Sequence, residues 1–238
     1  MKLLLLIVAV FYTFQGSFSK DYNVVPIVGG ISGTGVTTRY WDCCKPSCAW
    51  AENLKVETDT PVASCSTDGS TVVNASVQSA CIGGGAYMCS NQQPKAVNET
   101  FALGFVAASF TGGADTNYCC ACVRLTFQSP IQGKQMVVQV TNTGGDLGSN
   151  HFDIALPGGG VGIFTEGCSS QWGCPSNGWG DQYGGVASES DCSTLPEVLQ
   201  DGCKFRFQFL QGASNPGVTF EQVECPSELT SITGCNYS

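Results

Sequence analysis

Charged residues are scarce in this sequence, because Asp, Glu, Lys and Arg together make up 12% of its 238 residues. Basic residues are the scarcer kind, 10 against 19 acidic ones, and the formal net charge is −9. A chain this acidic is repelled by the phosphate backbone of nucleic acids and by anionic lipid headgroups. The composition therefore argues against a nucleic-acid-binding or membrane-surface protein.

Histidine is nearly absent, since His151 is the only one. A Ser-His-Asp hydrolase would have to be built around this residue, and the sequence contains no G-x-S-x-G motif. The glycine run at 158–160 lacks the lysine that a phosphate-binding loop requires. We therefore predict neither of these chemistries.

Long apolar runs are absent beyond the N-terminus. The first run follows Lys2, is too short to span a bilayer, and precedes small residues at Ser17 and Ser19. This pattern is typical of a secretory signal peptide, which we expect to be cleaved after Ser19. The predicted organisation is a signal peptide (1–19), an N-terminal extension (20–36) and one domain (37–238) of a secreted, extracellular protein.

Cysteine, by contrast, is abundant, with fifteen residues. In an exported protein such a number predicts a disulfide framework, and the odd count leaves at least one thiol unpaired. The secretory context favours disulfides over a zinc site, even at the two clusters Cys43, Cys44, Cys48 and Cys119, Cys120, Cys122. Glycosylation sequons begin at Asn74, Asn98 and Asn236.

Alternating apolar and polar residues predict β-strands. The clearest candidate is KFRFQF at 204–209, where Phe205, Phe207 and Phe209 would share one face. Weaker candidates lie at 122–128, 135–141 and 218–223, whereas 98–110 is ambiguous between helix and strand. One short helix is predicted from Pro196 to Gln200, ended by Gly202. The expected fold is mainly β.

Residues capable of chemistry concentrate in two segments, TTRYWDCCKPSCAW at 37–50 and TGGDLGSNHFDIALPGGGVGIF at 143–164. The first contains Asp42, and the second contains Asp146, His151 and Asp153. All four tryptophans lie inside or after these segments, at positions 41, 50, 172 and 179. Aromatic rings stack on the C–H faces of sugars, and glycosidic cleavage requires one protonated and one ionised carboxyl group. The pattern indicates a carbohydrate-active protein.

Each of these residues also has a structural interpretation. Asp42 is equally suited to accept backbone N–H groups in a turn, and Asp153 to cap the turn before Pro157. His151, on local evidence, is more typical of a hydrogen-bonded structural histidine than of a ligand or a base. The aromatic residues are compatible with a hydrophobic core.

The two segments resemble the paired signatures of family-45 glycoside hydrolases, which are secreted endoglucanases of fungi and plant-feeding invertebrates. The similarity continues through YGGVASESDC, LQDGCKFRFQF and VTFEQVECPSELTSITGC, so that it extends from Thr37 to Cys235. It implies a six-stranded double-psi β-barrel with long disulfide-linked loops, a few short helices and an open groove.

The resemblance implies an inverting endo-β-1,4-glucanase that hydrolyses cellulose or related β-glucans in a catalytic domain (37–238). Asp42 would be the general base, Asp153 the general acid about 6.5 to 9.5 Å away, and Asp146 an assisting residue on a flexible loop. The implied substrate-binding residues are Tyr40, Trp50, Thr38, Lys45, His151 and Tyr183. His151 would position Asp153 or its loop. No metal or cofactor is implied, and the chain is expected to be a monomer.

The resemblance also implies seven disulfides: Cys43–Cys168, Cys44–Cys81, Cys48–Cys119, Cys65–Cys89, Cys120–Cys235, Cys122–Cys225 and Cys192–Cys203. Cys174 is left over, in a segment that departs from the fungal members, and Glu166 is an extra residue. The groove beside the glycine run is therefore expected to differ in shape.

Three other functions are compatible with such a barrel. A xyloglucanase would differ in a few contacts along the groove. An expansin-like wall-binding protein would keep the acid-like aspartate and lack the base, so Asp42 favours hydrolysis. A barwin-type defence protein would bind a glycan without releasing product, which Asp146 and Asp153 together argue against.

Overall fold

A computed structural model describes residues 22–55 and 60–237. Its strands are β1 (Ser32–Tyr40), β2 (Ser64–Cys65), β3 (Val72–Val73), β4 (Tyr87–Met88), β5 (Lys95–Ala96), β6 (Phe101–Ser109), β7 (Cys122–Phe127), β8 (Gln135–Asn142), β9 (His151–Ala155) and β10 (Gly217–Val223). Its α-helices are α1 (Glu166–Trp172), α2 (Glu197–Gln208) and α3 (Ser227–Thr233). The predicted signal peptide lies outside the described residues.

Six strands close into a β-barrel. They hydrogen-bond in the order β1, β10, β7, β8, β6, β9, and β9 pairs again with β1. The pairs β1–β9 and β6–β8 are parallel, and the other four are antiparallel. The six-stranded barrel expected from the resemblance is confirmed. β5 extends the sheet beside β6, and β2, β3 and β4 form a separate small sheet.

The barrel strands follow from their sequence patterns. In β7, Val123, Leu125 and Phe127 enter the hydrophobic cluster that draws on five of the six barrel strands, while Arg124 and Thr126 are partly exposed. The predicted strands at 122–128, 135–141 and 218–223 are confirmed. The ambiguous segment 98–110 forms β6, which is buried along its whole length and therefore shows no polar alternation.

The strand predicted at 204–209 is wrong, because these residues continue α2 to Gln208. The helix predicted from Pro196 begins in the expected place, but it runs through Gly202. In the helix Phe205 and Phe209 are one turn apart and stack, with ring centroids 4.9 Å apart. The spacing that resembled a strand face is thus also an i, i+4 helical pair.

The predicted boundary between the N-terminal extension and the catalytic domain falls inside a strand. β1 begins at Ser32, which pairs with Glu221 of β10, and Val36 pairs with Gly217. Residues 32–36 are therefore part of the barrel.

Seven disulfides join loops and helices around the barrel, with Cys122 of β7 the one bonded cysteine inside a barrel strand, and their pairs are those that the resemblance implied. Cys174 is a free, buried cysteine. No helix in the described part of the chain is long and apolar enough to cross a membrane.

Candidate active site

Asp42 lies two residues beyond the end of β1, in a turn that is fixed on both sides. The backbone N–H of Trp41 donates to the carbonyl of Gly160 at 2.7 Å, and the N–H of Cys44 donates to Asp42 Oδ1 at 2.9 Å. Cys43, with φ of 62°, and Cys44 form disulfides with two different parts of the chain. The Asp42 carboxylate therefore stabilises a turn, as its structural interpretation predicted, and it also lies in a cleft with two other aspartates, described below.

Asp153 is the central residue of β9. Its register partner in the parallel strand β1 is Thr38, whose hydroxyl donates to Asp153 Oδ1 at 2.6 Å. Its partner on the other side is Ala107 of β6. The barrel thus places Asp153 between two strands that come from distant parts of the sequence.

One cleft of about 60 Å³ brings together Asp42, Asp146 and Asp153. Its other lining residues are Tyr40, Ala107, Asn142, Thr143, Gly144, Leu147, Val161, Gly162, Ile163 and Phe164. A cavity needs about 10 to 15 Å³ to hold a water molecule, so the cleft has room for a few waters between the carboxyl groups. A larger cavity of about 880 Å³ lies beside α2 and contains none of the predicted site residues.

Burial raises the pKa of both principal carboxyl groups. Asp42 is 6% exposed, and its pKa rises to about 6, although the Cys44 N–H opposes the shift. The pKa of Asp153 rises to about 7, because burial and the negative charges of Asp146 and Asp42 outweigh the Thr38 hydrogen bond and the positive charge of Arg39. Both carboxyl groups therefore keep a proton to higher pH than an exposed aspartate does.

A chain of hydrogen bonds connects the loop that carries Asp146 with Asp153. The N–H of Gly148 donates to His151 Nδ1 at 3.3 Å, so the proton of the neutral ring is on Nε2. Nε2 then donates to Thr38 Oγ1 at 2.7 Å, and Thr38 donates its own proton to Asp153 Oδ1. Burial lowers the pKa of His151, which favours this neutral form. When Asp153 is protonated, its proton is therefore on Oδ2, because Oδ1 accepts the hydrogen bond from Thr38.

The predicted aromatic residues differ in their surroundings. Tyr40 lines the cleft but is buried, and its hydroxyl accepts a hydrogen bond from Asn142 at 3.1 Å. Trp50 lies outside the cleft around the aspartates, with Lys45 Nζ 3.3 Å from its ring centroid. Lys45 also donates to the carbonyls of Ala75 and Val77. One face of the Trp50 ring is therefore covered by a cation.

Tyr183 also lies outside the cleft, on an exposed turn. Its side chain is 72% exposed, and the neighbouring Gln182 exchanges two hydrogen bonds with Gly162 of the cleft wall. The structure thus places Tyr183 beside the cleft without closing it.

Sequence reasoning did not single out Asn142, Ile163 or Phe164. Asn142 accepts from the N–H and hydroxyl of Ser47, and it fixes the Tyr40 hydroxyl. Ile163 and Phe164 are large apolar residues that are 56% and 44% exposed next to the acidic cleft. Their signal in the sequence was their place at the end of the second segment, directly after the glycine run.

Metal ligands do not cluster in this structure. Among the described residues, no three His, Cys, Asp or Glu side chains are arranged so that they could hold a metal ion. The cysteines of the two clusters considered for zinc are all in disulfides.

Comparison with known proteins agrees with this geometry. The model of glycosyl hydrolase family 45 matches residues 34–236. An endoglucanase of Phaedon cochleariae is 59% identical over 233 residues, which cover 97% of this chain and 96% of the relative. The crystal structure of a cellulase from the Antarctic springtail Cryptopygus antarcticus superposes with a TM-score of 0.82 at 50% identity and covers 87% of this chain and 99% of that one. Since the family model matches from within β1 to beyond β10 and takes in the segments of all three aspartates, this chain belongs to glycosyl hydrolase family 45.

Proposed function

We propose that this glycoside hydrolase is a secreted endo-β-1,4-glucanase that cleaves internal bonds of cellulose or related β-glucans with inversion. The observation that carries the proposal is the cleft itself, in which the buried Asp42 and the partly exposed Asp153, both with raised pKa values, line a space large enough for water. The relatives named endoglucanase and cellulase support a β-glucan as the substrate.

In this mechanism Asp153 is the general acid and Asp42 the general base. Asp153, with the higher pKa, keeps its proton at near-neutral pH and transfers it from Oδ2 to the glycosidic oxygen. Asp42, with the lower pKa, is ionised and removes a proton from a water in the cleft. That water attacks the anomeric carbon from the opposite face of the sugar, which inverts its configuration.

Asp146 assists by electrostatics. Its negative charge raises the pKa of Asp153 and so keeps the acid protonated. His151 and Thr38 orient Asp153 through the hydrogen-bond chain that starts at Gly148, on the same loop as Asp146. A movement of that loop on substrate binding would therefore reach the acid directly.

Glucan binding relies on aromatic and polar side chains along the groove. Tyr40 and Phe164 line the cleft, whereas Tyr183 and Trp50 lie outside it and would contact glucosyl units farther along the chain. Because Lys45 covers one face of Trp50, a glucosyl unit stacks on the other face. The seven disulfides support secretion, since such bonds persist in oxidising compartments. We propose a monomer that needs only its polysaccharide partner.

The test is product release from carboxymethyl-cellulose and xyloglucan by the wild type, Asp42→Asn and Asp153→Asn. Loss of a general acid or base costs about 10² to 10⁴ in rate. Asp201→Asn is the matched control, because that carboxylate lies in α2 with a side chain 97% exposed. Circular dichroism checks that each variant is folded.

We expect the wild type and Asp201→Asn to cleave and both site variants to lose activity by that factor. The better polymer identifies the enzyme as a cellulase or a xyloglucanase. A wild type that binds either polymer but releases no reducing ends would contradict the proposal and favour an expansin-like binding protein.

A further inference from the structure

Two arginines converge on one backbone carbonyl beside the cleft. Arg39, next to Thr38 in β1, donates from Nε and Nη2 to the Gly184 carbonyl at 3.2 and 2.9 Å. Arg206, in α2, donates from Nη1 to the same carbonyl at 3.3 Å and also to the carbonyl of Val186. Two cationic groups are therefore held against one another by neutral oxygen atoms.

This arrangement is costly for Arg206. Arg206 is 9% exposed, and its Nε has no hydrogen-bond partner. Arg206 also has no ion-pair partner among the described residues, whose ion pairs are Arg124–Glu221 and Lys204–Asp201. Burial and the positive charge of Arg39 lower the pKa of Arg206 to about 10. A buried charge without an opposite charge is destabilising, and a well-packed apolar residue would be the more stable choice. The contacts of the Arg206 guanidinium therefore indicate a role other than stabilising the fold.

The carbonyl that both arginines bind belongs to the turn that carries Tyr183. In this turn the N–H groups of Gly184 and Gly185 donate to the carbonyl of Asp181 at 3.1 and 2.7 Å. Gly185 has φ of 71°, and a Cβ there would lie 1.8 Å from the carbonyl oxygen of Gly158, so this turn packs directly on the glycine run. Tyr183 projects from it with most of its side chain exposed.

The same turn is joined to the wall of the cleft. The N–H of Gly162 donates to the Gln182 carbonyl at 2.9 Å, and Gln182 Nε2 donates back to the Gly162 carbonyl at 2.8 Å. Gly160, two residues earlier, accepts from the N–H of Trp41 beside Asp42. The position of Tyr183 relative to the cleft therefore depends on the conformation of this turn.

We propose that Arg39 and Arg206 are positioning residues that lock this turn and so aim Tyr183 at the glucan chain. The inference rests on the proposed function, since Tyr183 has a stacking role only if a sugar polymer occupies the groove. The planar guanidinium of each arginine grips a carbonyl through fixed N–H directions, which a lysine ammonium does not reproduce. Without the hydrogen bonds of both arginines to the Gly184 carbonyl, the turn moves. The exposed Tyr183 ring then is no longer oriented in advance for substrate binding.

The test is a double-mutant cycle of Arg206→Met and Tyr183→Ala, with hydrolysis of carboxymethyl-cellulose as the readout. We expect each single variant to raise KM by about 3- to 10-fold, the contribution of one aromatic contact, with kcat changed by less than about 2-fold. The double variant should raise KM no further than Tyr183→Ala alone, because Arg206 acts through Tyr183. Arg206→Lys should restore KM only in part.

Arg124→Met is the matched control, because the Arg124 guanidinium in β7 bonds to Glu221 in β10. Its effect should be small and additive with Tyr183→Ala. Arg39→Lys, which disrupts the two bonds to Gly184, gives an independent cycle if Arg206→Met does not fold. A wild type that hydrolyses no β-glucan overturns the proposed function, whereas additive KM effects of Arg206 and Tyr183 in an active enzyme overturn the positioning role alone.

Discussion

Asp42 and Asp153 share a cleft, but their surroundings differ in the groups that stabilise the ionised form. Asp42 accepts a backbone N–H in its turn, whereas Asp153 faces the negative charges of Asp146 and Asp42. The resulting pKa values, about 6 and about 7, allow one carboxyl group to be ionised while the other is protonated. The proposed roles of Asp42 as base and Asp153 as acid thus follow from the different surroundings of two identical side chains.

The first prediction concerns the pH profile. Since the proposed mechanism requires Asp42 ionised and Asp153 protonated, kcat/KM should be bell-shaped, with the acid limb set by Asp42, whose pKa is about 6, and the alkaline limb by Asp153, whose pKa is about 7. Asp146→Asn removes a negative charge near Asp153, lowers its pKa and should shift the alkaline limb to lower pH. Asp201→Asn should leave the limb in place. An alkaline limb unmoved in Asp146→Asn would argue against the electrostatic role of that residue.

A second prediction follows from the same pKa shift, because it links stability to pH. The folded-state pKa of Asp153, about 7, is above the unfolded value of about 3.9, so the folded protein binds more protons between these limits and loses stability as pH rises through them. Asp153→Asn cannot ionise. Urea unfolding should therefore show the variant on the order of a few kcal/mol more stable than wild type at pH 8 and nearly equal to it at pH 4. A difference independent of pH would contradict the raised pKa.

Residues 204–208 lie in helix α2, although their alternating pattern predicts a strand. Six alternating residues satisfy a strand period, yet Phe205 and Phe209 also satisfy a helical one, and the pattern alone does not choose between them. The choice is made by packing outside the segment, since Arg206 is buried against carbonyls of the Tyr183 turn and Cys203 is bonded to Cys192. Gly202, which the sequence suggested as a helix end, is an internal residue in close contact with neighbouring loops.

The third prediction tests that contact. Glycine to alanine inside a helix normally stabilises by roughly 0.5 to 1 kcal/mol, but a Cβ at Gly202 would lie 2.1 Å from Gln93 Oε1 and 2.8 Å from Pro157 Cγ. Gly202→Ala should therefore destabilise the protein by about 1 to 3 kcal/mol in chemical unfolding. Asp201→Ala, at the exposed neighbouring position of the helix, serves as the control and should be neutral or slightly stabilising. A stabilised Gly202→Ala would mean that the helix end is not packed as described.

The barrel and the disulfides bring residues together that are far apart in the sequence. Thr38 and Asp153 are 115 residues apart in sequence and touch because β1 and β9 pair in parallel. Asp42 is then fixed by Cys43–Cys168, which closes 125 residues, and by Cys44–Cys81. Strand pairing and disulfides together hold Asp153 and Asp42, the proposed acid and base, in one cleft.

The fourth prediction compares two of these bridges. By loop-closure entropy, removing Cys43–Cys168 should cost about 5 kcal/mol of unfolding free energy, and removing Cys65–Cys89, which spans 24 residues in the small sheet, about 3 kcal/mol. Both double alanine variants would be measured by urea unfolding and by hydrolysis under conditions where each remains folded. Only the first should also lower kcat, because Cys43 directly follows Asp42 and its bond to Cys168 restrains the turn that holds Asp42. Equal loss of kcat in both would show that the bridge beside Asp42 has no special effect on the site.

The sequence by itself determined the class of fold and the chemistry available. Alternation in β7, β8 and β10 predicted three barrel strands, and the two signature segments contained all three aspartates of the cleft. These features are local, because a strand period or a motif is complete within a few residues. Tertiary structure alone decided that 204–209 is helical, that β6 is a strand and that Ile163 and Phe164 border the cleft. It also decided the burial that raises the pKa values of Asp42 and Asp153. The same holds for the meeting of Arg39 and Arg206 at Gly184, since each feature depends on groups that only the closed barrel brings together.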